Sequence, residues 1–210
     1  MIKLKLGAAL AAVIITMTSC SSKENRDVNG NASANDAANS AIENIMSRTS
    51  VREYAPDRKI SPDTVEILLR AAMAAPTAVN KQPWAYVVLD TREALDSLAE
   101  VLPYAKMLRH APLAIVTCGD MERTFEAERA YWIQDVSAST ENLLLAANAL
   151  GLGAVWTGVY PTEERVKAVS ERLGLPANII PLAVVPVGYP AKEHQPKDKW
   201  NPSVIHYNRW

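Results

Sequence analysis

Two polar segments of the chain carry side chains that could bind a ring bearing a phosphate. The first, residues 47–54, places two arginines and two hydroxyl side chains within five consecutive positions. Guanidinium groups bind phosphate through forked, charge-assisted hydrogen bonds. The second, residues 75–84, is a polar turn containing Asn80 and Gln82 that leads directly into an apolar strand. Because amide side chains and backbone N–H groups can bind the polar edge of a heterocycle, the two segments together predict a phosphate-bearing ring cofactor.

Both segments resemble motifs of the nitroreductase family, the FMN-dependent flavoproteins. Residues 48–54 match the family's opening motif, Arg-(Arg/Ser)-Ser-(Ile/Val)-Arg followed by a polar residue and an aromatic, with Thr49 as a mild departure. Residues 75–84 match its Ala-Pro-Ser-(Gly/Ala/Ser)-x-Asn-x-Gln-Pro-Trp segment, with Thr77 in place of serine.

The resemblance continues toward the C-terminus. Residues 151–158 are similar to the family's Gly-Leu-Gly-x-x-Trp-x-Gly strand. Residues 187–190 and 197–200 resemble its C-terminal Gly-Tyr-Pro motif and basic tail. Because the four motifs occur in the family's order, the resemblance covers residues 41–210. It implies an α+β sandwich, with a mainly antiparallel sheet flanked by helices, in an interlocked homodimer that binds FMN in each of two clefts.

The resemblance also implies a role for individual residues in binding FMN. Those expected to hold the phosphate and ribityl chain are Arg48, Thr49, Ser50 and Arg52. Those expected to lie against the ring from the other subunit, or at its polar edge, are Pro76, Thr77, Ala78 and Asn80. Those expected near the reactive N5 atom are Trp156, Thr157 and Gly158. Lys197 and Lys199 match the family's basic pair at the phosphate. A run of solvent-exposed charged residues without a ligand would show the same sequence pattern.

The implied activity is transfer of hydride from NAD(P)H through flavin N5 to a nitroaromatic, a quinone or a similar acceptor. No catalytic side chain is required, because the cofactor carries the chemistry and the protein supplies position and electrostatics. An alternative is a membrane-tethered flavin-binding electron-relay protein without nicotinamide turnover. A third alternative is a relative that has lost FMN and only binds a partner, but the intact motif at residues 48–52 argues against it.

The N-terminus indicates export. Lys3 and Lys5 precede an apolar run over residues 6–15, which is too short to span a bilayer and is typical of a signal peptide. Small residues before Cys20 resemble a bacterial lipobox, which predicts cleavage after residue 19 and lipid attachment at Cys20. An ordinary cleaved signal with an incidental cysteine is the alternative. Residues 20–40 then form a polar tether, and residues 41–210 form the domain. The predicted location is the bacterial cell envelope, as a membrane-anchored lipoprotein.

Composition excludes several other functions. The net charge is −1 and no basic stripe with interleaved aromatics occurs, so nucleic-acid binding has no support. The three histidines lie far apart and cysteines are not paired at metal-ligand spacing, so no metal site is predicted. Cys118 lies in an apolar run and is predicted to be a core residue. Residues 151–153 follow a helix and open a strand, the reverse of a dinucleotide-binding turn.

Hydrophobic periodicity predicts five helices and four strands in the domain. The predicted helices cover residues 41–47, 62–74, 91–101, 124–150 and 162–173, and the predicted strands cover residues 84–89, 113–118, 154–159 and 179–187. The aromatic tail, residues 191–210, is expected to reach across the partner subunit, as in the family.

Overall fold

The computed structural model describes the backbone from residue 34 and the side chains from residue 40 to residue 210. The predicted signal, its cleavage site and Cys20 therefore lie outside the described residues. The first helix, α1, spans Ala34–Ser47 and begins before residue 41, where the sequence places the start of the domain. In the described part of the chain, no helix is both long enough and apolar enough to cross a membrane.

A single antiparallel sheet forms the centre of the domain. Its strands are β1 (Trp84–Leu89), β2 (Leu113–Asp120), β3 (Gly153–Ala154), β4 (Thr157–Gly158) and β5 (Ile179–Gly188). The spatial order is β1-β2-β5-β3, and β4 also pairs with β5. Every pairing between these strands is antiparallel, and helices flank the sheet, so the α+β fold implied by the motifs is confirmed.

Two prolines in β5 lie where its pairing with the neighbouring strands becomes irregular. Pro181 lies where the register with β2 shifts between Thr117 and Cys118. Pro186 has no N–H to donate, and the chain beside it leaves the ladder between β3 and β4. The sequence prediction of one strand over residues 154–159 is therefore wrong, because two short strands flank an irregular pair of residues.

The remaining helices are α2 (Pro62–Met73), α3 (Arg92–Val101), α4 (Tyr131–Ala149) and α5 (Glu163–Leu173). Ser61 caps α2 by accepting the Thr64 N–H, and Pro62 follows at the first helical position. The predicted start of α4 at residue 124 is wrong. Thr124 instead donates its hydroxyl back to the Met121 carbonyl, and Phe125 is extended, with φ −70° and ψ 112°.

Successive side chains of β2 point to opposite faces of the sheet, so the core has two layers. Leu113 and Ile115 pack against α2 and α4 on one face of the sheet. On the other face Val116 and Cys118 pack against α3 and α5. Cys118 is fully buried, as predicted, and burial raises the pKa of its thiol to about 12, so the thiolate does not form at neutral pH.

Candidate cofactor site

The arginine-containing segment is held against the edge of the sheet by buried contacts. Ser50 bridges to Ala154 in β3, and the Val51 N–H donates to the Ala154 carbonyl at 3.0 Å. The Tyr54 hydroxyl lies 2.9 Å from the Val51 carbonyl and 3.2 Å from that of Pro186. Burial raises the pKa of Tyr54, so its hydroxyl keeps the proton that it donates to these carbonyls. The backbone on both sides of Arg52 is therefore fixed to the sheet.

This attachment brings two of the predicted motifs together. Arg52 lines a cavity of about 310 Å³ with three further predicted residues, Trp156, Thr157 and Gly158. A Cβ atom built on Gly158 would have no atom within 4 Å, so the backbone of β4 is open to a ligand at this point. A fixed cation thus lies beside accessible backbone, which suits a ring with a charged or polar edge.

Sequence reasoning missed Arg165 at this cavity. Its side chain also lines the cavity, and its guanidinium donates to the Gly158 carbonyl at 3.3 Å. The same guanidinium lies 5.4 Å from the ring centre of Tyr104, which is another lining residue. Arg165 lies near the start of α5, within a charged helical face, and no motif marks it. Only the folded position of β4 shows that Arg165 lies at this cavity.

Arg48 and Thr49 have different partners. The Arg48 Nε atom is 3.3 Å from Glu141 Oε1 on α4, and the arginine side chain is only 18% exposed. This ion pair orients the guanidinium. Thr49 instead lines a second cavity, of about 430 Å³, together with Asn148 and His194. Thr49 and Arg52 therefore line different cavities of one chain.

The predicted ring-contacting turn does not line the Arg52 cavity. Its Ala78 N–H donates to Asp135 Oδ1 on α4 at 2.8 Å, while Pro76 and Asn80 are exposed. Asp135 and Glu141 are six positions apart, which is about 240° around the helix axis. The turn and Arg48 are therefore attached to different sides of α4, so one chain presents the two motifs in different directions.

The basic pair of the tail also stays apart from Arg48 and Arg52 within one chain. Lys197 and Lys199 are exposed, and the described contacts connect neither of them to the arginine-containing segment. The aromatic residues Trp200, Tyr207 and Trp210 of the same tail are 74%, 84% and 99% exposed. The role of both lysines remains a prediction.

Several other expectations can be compared with the structure. Trp84 is buried in the core. Trp132 is also buried and packs edge-to-face on Tyr160, with 5.0 Å between ring centres. Among residues 40–210, no three His, Cys, Asp or Glu side chains cluster to bind a metal. A larger cavity, of about 590 Å³, is lined by Arg58, Arg92 and Arg109 and contains no predicted cofactor residue.

Comparison with known proteins agrees with this arrangement of motifs. The family model "Nitroreductase family" matches residues 45–103 and 98–189. A protein of Archaeoglobus fulgidus, provisionally named NADH dehydrogenase/NAD(P)H nitroreductase, is 46% identical over 169 residues, covering 79% of this chain and 96% of its own length.

Solved structures agree as well. A protein of Parabacteroides distasonis with the same provisional name has a TM-score of 0.77 and 46% identity, and the match covers 81% of this chain and 98% of that one. A provisionally named nitroreductase of Desulfovibrio desulfuricans, solved in complex with FMN, has a TM-score of 0.69 and 27% identity, with coverages of 81% and 97%. Sequence motifs, fold and close relatives therefore agree, and the chain belongs to the nitroreductase family.

Proposed function

We propose that this protein is an FMN-dependent NAD(P)H oxidoreductase that passes hydride to a nitroaromatic, a quinone or a similar small acceptor. The observation that supports the proposal best is the cavity in which Arg52 lies beside Thr157 and the open backbone of Gly158. Relatives named as NAD(P)H nitroreductases, and one solved with FMN, support the same cofactor and donor.

The residues present have the chemistry that FMN needs. Arg48 and Arg52 supply fixed positive charge for a phosphate, and Glu141 orients the first of them. When bound, FMN supplies a ring that accepts and donates hydride at N5. The chain's own task is to position the ring and to stabilise negative charge on it, and Arg165 is a further cation at the Arg52 cavity that could serve this second purpose. No side chain has to act as an acid or a base.

A second copy of the chain is proposed to complete each cleft. One chain presents the turn at residues 76–80 and the arginine-containing segment on different sides of α4. Three large apolar side chains of α1, Ile42, Ile45 and Met46, are more than half exposed, which favours burial against a partner. A dimer in which each tail crosses the other subunit would cover these surfaces and bring the turn to the partner's arginines.

An anaerobic visible spectrum of the FMN-loaded protein tests the proposed donor. Adding NADPH or NADH is expected to bleach the flavin absorption within seconds, because a nicotinamide that reaches the ring transfers hydride to it. A following addition of a quinone or a nitroaromatic should restore the oxidised spectrum. Recording the same additions with free FMN provides the control for reduction that does not depend on the protein.

A bound flavin that stays oxidised with both nucleotides would contradict the proposed donor. That outcome would favour the electron-relay alternative, which has its own support in the export signal at the N-terminus. NAD(P)H is scarce outside the cytoplasm, so an exported flavoprotein would need another reductant. Dithionite would then serve to show that the bound flavin can still be reduced.

We also propose that the chain is a lipoprotein anchored to the cell envelope through Cys20. The predicted signal and the small residues before Cys20 support this location. In cells expressing the full chain, the wild-type protein is expected to partition into the detergent phase, because lipid chains confer membrane affinity. The Cys20→Ser variant should move to the aqueous phase or keep its signal uncleaved. Equal partitioning of both proteins into the aqueous phase would contradict lipidation.

A further inference from the structure

A buried carboxylate on α4 holds the predicted ring-contacting turn. Asp135 is 5% exposed and sits among apolar neighbours such as Trp132 and Val136 on the buried stripe of its helix. Its Oδ1 atom accepts the Ala78 N–H at 2.8 Å, and its Oδ2 atom is buried with no partner among the described residues. Burying a carboxylate is unfavourable, so a carboxylate retained at such a position calls for a specific role.

The turn that Asp135 holds has an uncommon backbone conformation. Val79 has φ 43° and ψ 32°, Asn80 has φ 57° and Gln82 has φ 50°, all in the left-handed region. A β-branched residue such as valine is a genuine outlier there. Val79 is also 67% exposed, so burial of its side chain does not compensate for the strain.

The side-chain hydrogen bonds within the turn are exposed. The Gln82 N–H donates to Thr77 Oγ1 at 3.0 Å, and Gln82 Nε2 donates to Asn80 Oδ1 at 2.9 Å. Water competes for hydrogen bonds of this kind, whereas the bond from Ala78 to Asp135 is partly buried and charge-assisted. Among the described hydrogen bonds, the bond to Asp135 is the only one that joins residues 76–80 to another helix or strand.

We propose that Asp135 is a positioning residue that keeps residues 76–80 in the strained conformation needed to bind FMN. This inference rests on the proposed function, in which the turn lies against the flavin ring. Without the carboxylate, the turn would relax toward ordinary backbone angles and would have to be reordered whenever FMN binds. The result would be weaker FMN binding from an intact fold.

Four variants test the inference with two measurements. The variants are Asp135→Ala, Asp135→Asn, Val79→Gly and the double variant Asp135→Ala/Val79→Gly. Hydrogen exchange of the Ala78 amide, measured on FMN-free protein, reports whether this N–H stays bonded to residue 135. Titration with FMN, followed by fluorescence, reports the affinity for the cofactor. Ser139→Ala is the matched control, because it removes a buried hydrogen bond to Tyr86 one helical turn along α4.

Asp135→Ala is expected to expose the Ala78 amide to exchange and to raise the FMN dissociation constant about 10- to 100-fold. Asp135→Asn keeps an acceptor oxygen and should fall between wild type and alanine in both measurements. Glycine adopts positive φ without strain, so Val79→Gly should restore part of the FMN affinity in the Asp135→Ala background. Ser139→Ala should lower the midpoint of thermal unfolding but leave Ala78 exchange and FMN affinity unchanged.

Two outcomes would overturn the inference. The first is an Ala78 amide that stays protected in Asp135→Ala. The second is an equal loss of FMN affinity in Asp135→Ala and Ser139→Ala, without rescue by Val79→Gly, which would mean general destabilisation. Should Asp135→Ala not fold, Asp135→Asn decides between the same outcomes. Failure of the wild-type protein to bind FMN would instead contradict the proposed function, and the exchange measurement would still decide whether Asp135 holds the turn.

Discussion

Replacing Arg52 with alanine is expected to weaken FMN binding about 10- to 100-fold, and Arg48→Ala should have a similar effect. Each guanidinium offers charge-assisted hydrogen bonds to a phosphate. Water in its place would still form hydrogen bonds but would leave the negative charge of the phosphate uncompensated. Arg52 lines the cavity beside Gly158, and its backbone is fixed on both sides by Val51 and Tyr54. Arg48 is oriented in advance by Glu141.

Fluorescence titration of FMN into each variant, at low and at moderate salt, measures this effect. The affinity of wild-type protein should fall with salt, and the fall should be smaller in the variants, because a charge pair is lost. Arg70→Ala is the matched control, since Arg70 is a 77% exposed cation of α2 that pairs with Glu66 and lines no described cavity. Unchanged FMN affinity in both Arg48→Ala and Arg52→Ala would show that the site is assigned wrongly.

A methyl group at Gly153 is expected to destabilise the domain by about 3 kcal/mol and to reduce FMN affinity as well. A Cβ atom built there lies 2.5 Å from Val51 Cγ1 and 2.6 Å from Val51 Cβ, so the backbone has to move as well as the side chain. Val51 is the residue that hydrogen-bonds to β3, and Arg52 follows it directly. Gly153→Ala therefore displaces the cofactor-binding segment from the sheet.

Thermal unfolding of the FMN-free protein measures the first effect, and a decrease of roughly 6–12 °C in the midpoint is expected for a domain of this size. Gly158→Ala is the control, because the added methyl group would have no neighbour within 4 Å. It should leave the unfolding midpoint unchanged while narrowing the space beside Thr157. A midpoint for Gly153→Ala equal to that of wild type would contradict the close packing of residues 48–52 on β3.

The sequence was sufficient to predict the parts of the fold whose signals are local. The strands β1, β2 and β5 are apolar runs bounded by polar turns, and their predicted bounds agree with the structure to within two residues. Ser61 and Pro62 marked the start of α2 in the same way. The division between β3 and β4 was not predicted, because it depends on which residue of the neighbouring strand lies opposite Pro186.

Residues of the candidate site were likewise predicted where a sequence motif marks them and missed where no motif does. The motif at residues 48–52 and the strand at residues 156–158 were predicted from the resemblance, and the structure places Arg52 beside the strand. Asp135 was missed because its partner, the Ala78 N–H, is 57 positions away, and Arg165 was missed because it lies in a charged helical face that no motif marks. A signal for Asp135 did exist, since it is a carboxylate on the buried stripe that also contains Val136 and Leu143. In the proposed dimer, the positions of the turn and the tail lysines in each cleft depend on a second chain.

The central position of β5 has a consequence for how the chain acquires its structure during synthesis. β1 and β2 can pair once residue 120 is available, but the other edge of β2 stays open until residues 179–188 follow. An open apolar strand edge invites pairing with other chains, so the nascent protein is exposed to aggregation for an extended interval. β4, which carries the open backbone of Gly158 at the candidate cofactor site, pairs among the described strands with β5 alone. If FMN binds at this site as proposed, it is therefore expected to load late, once nearly the whole chain has emerged.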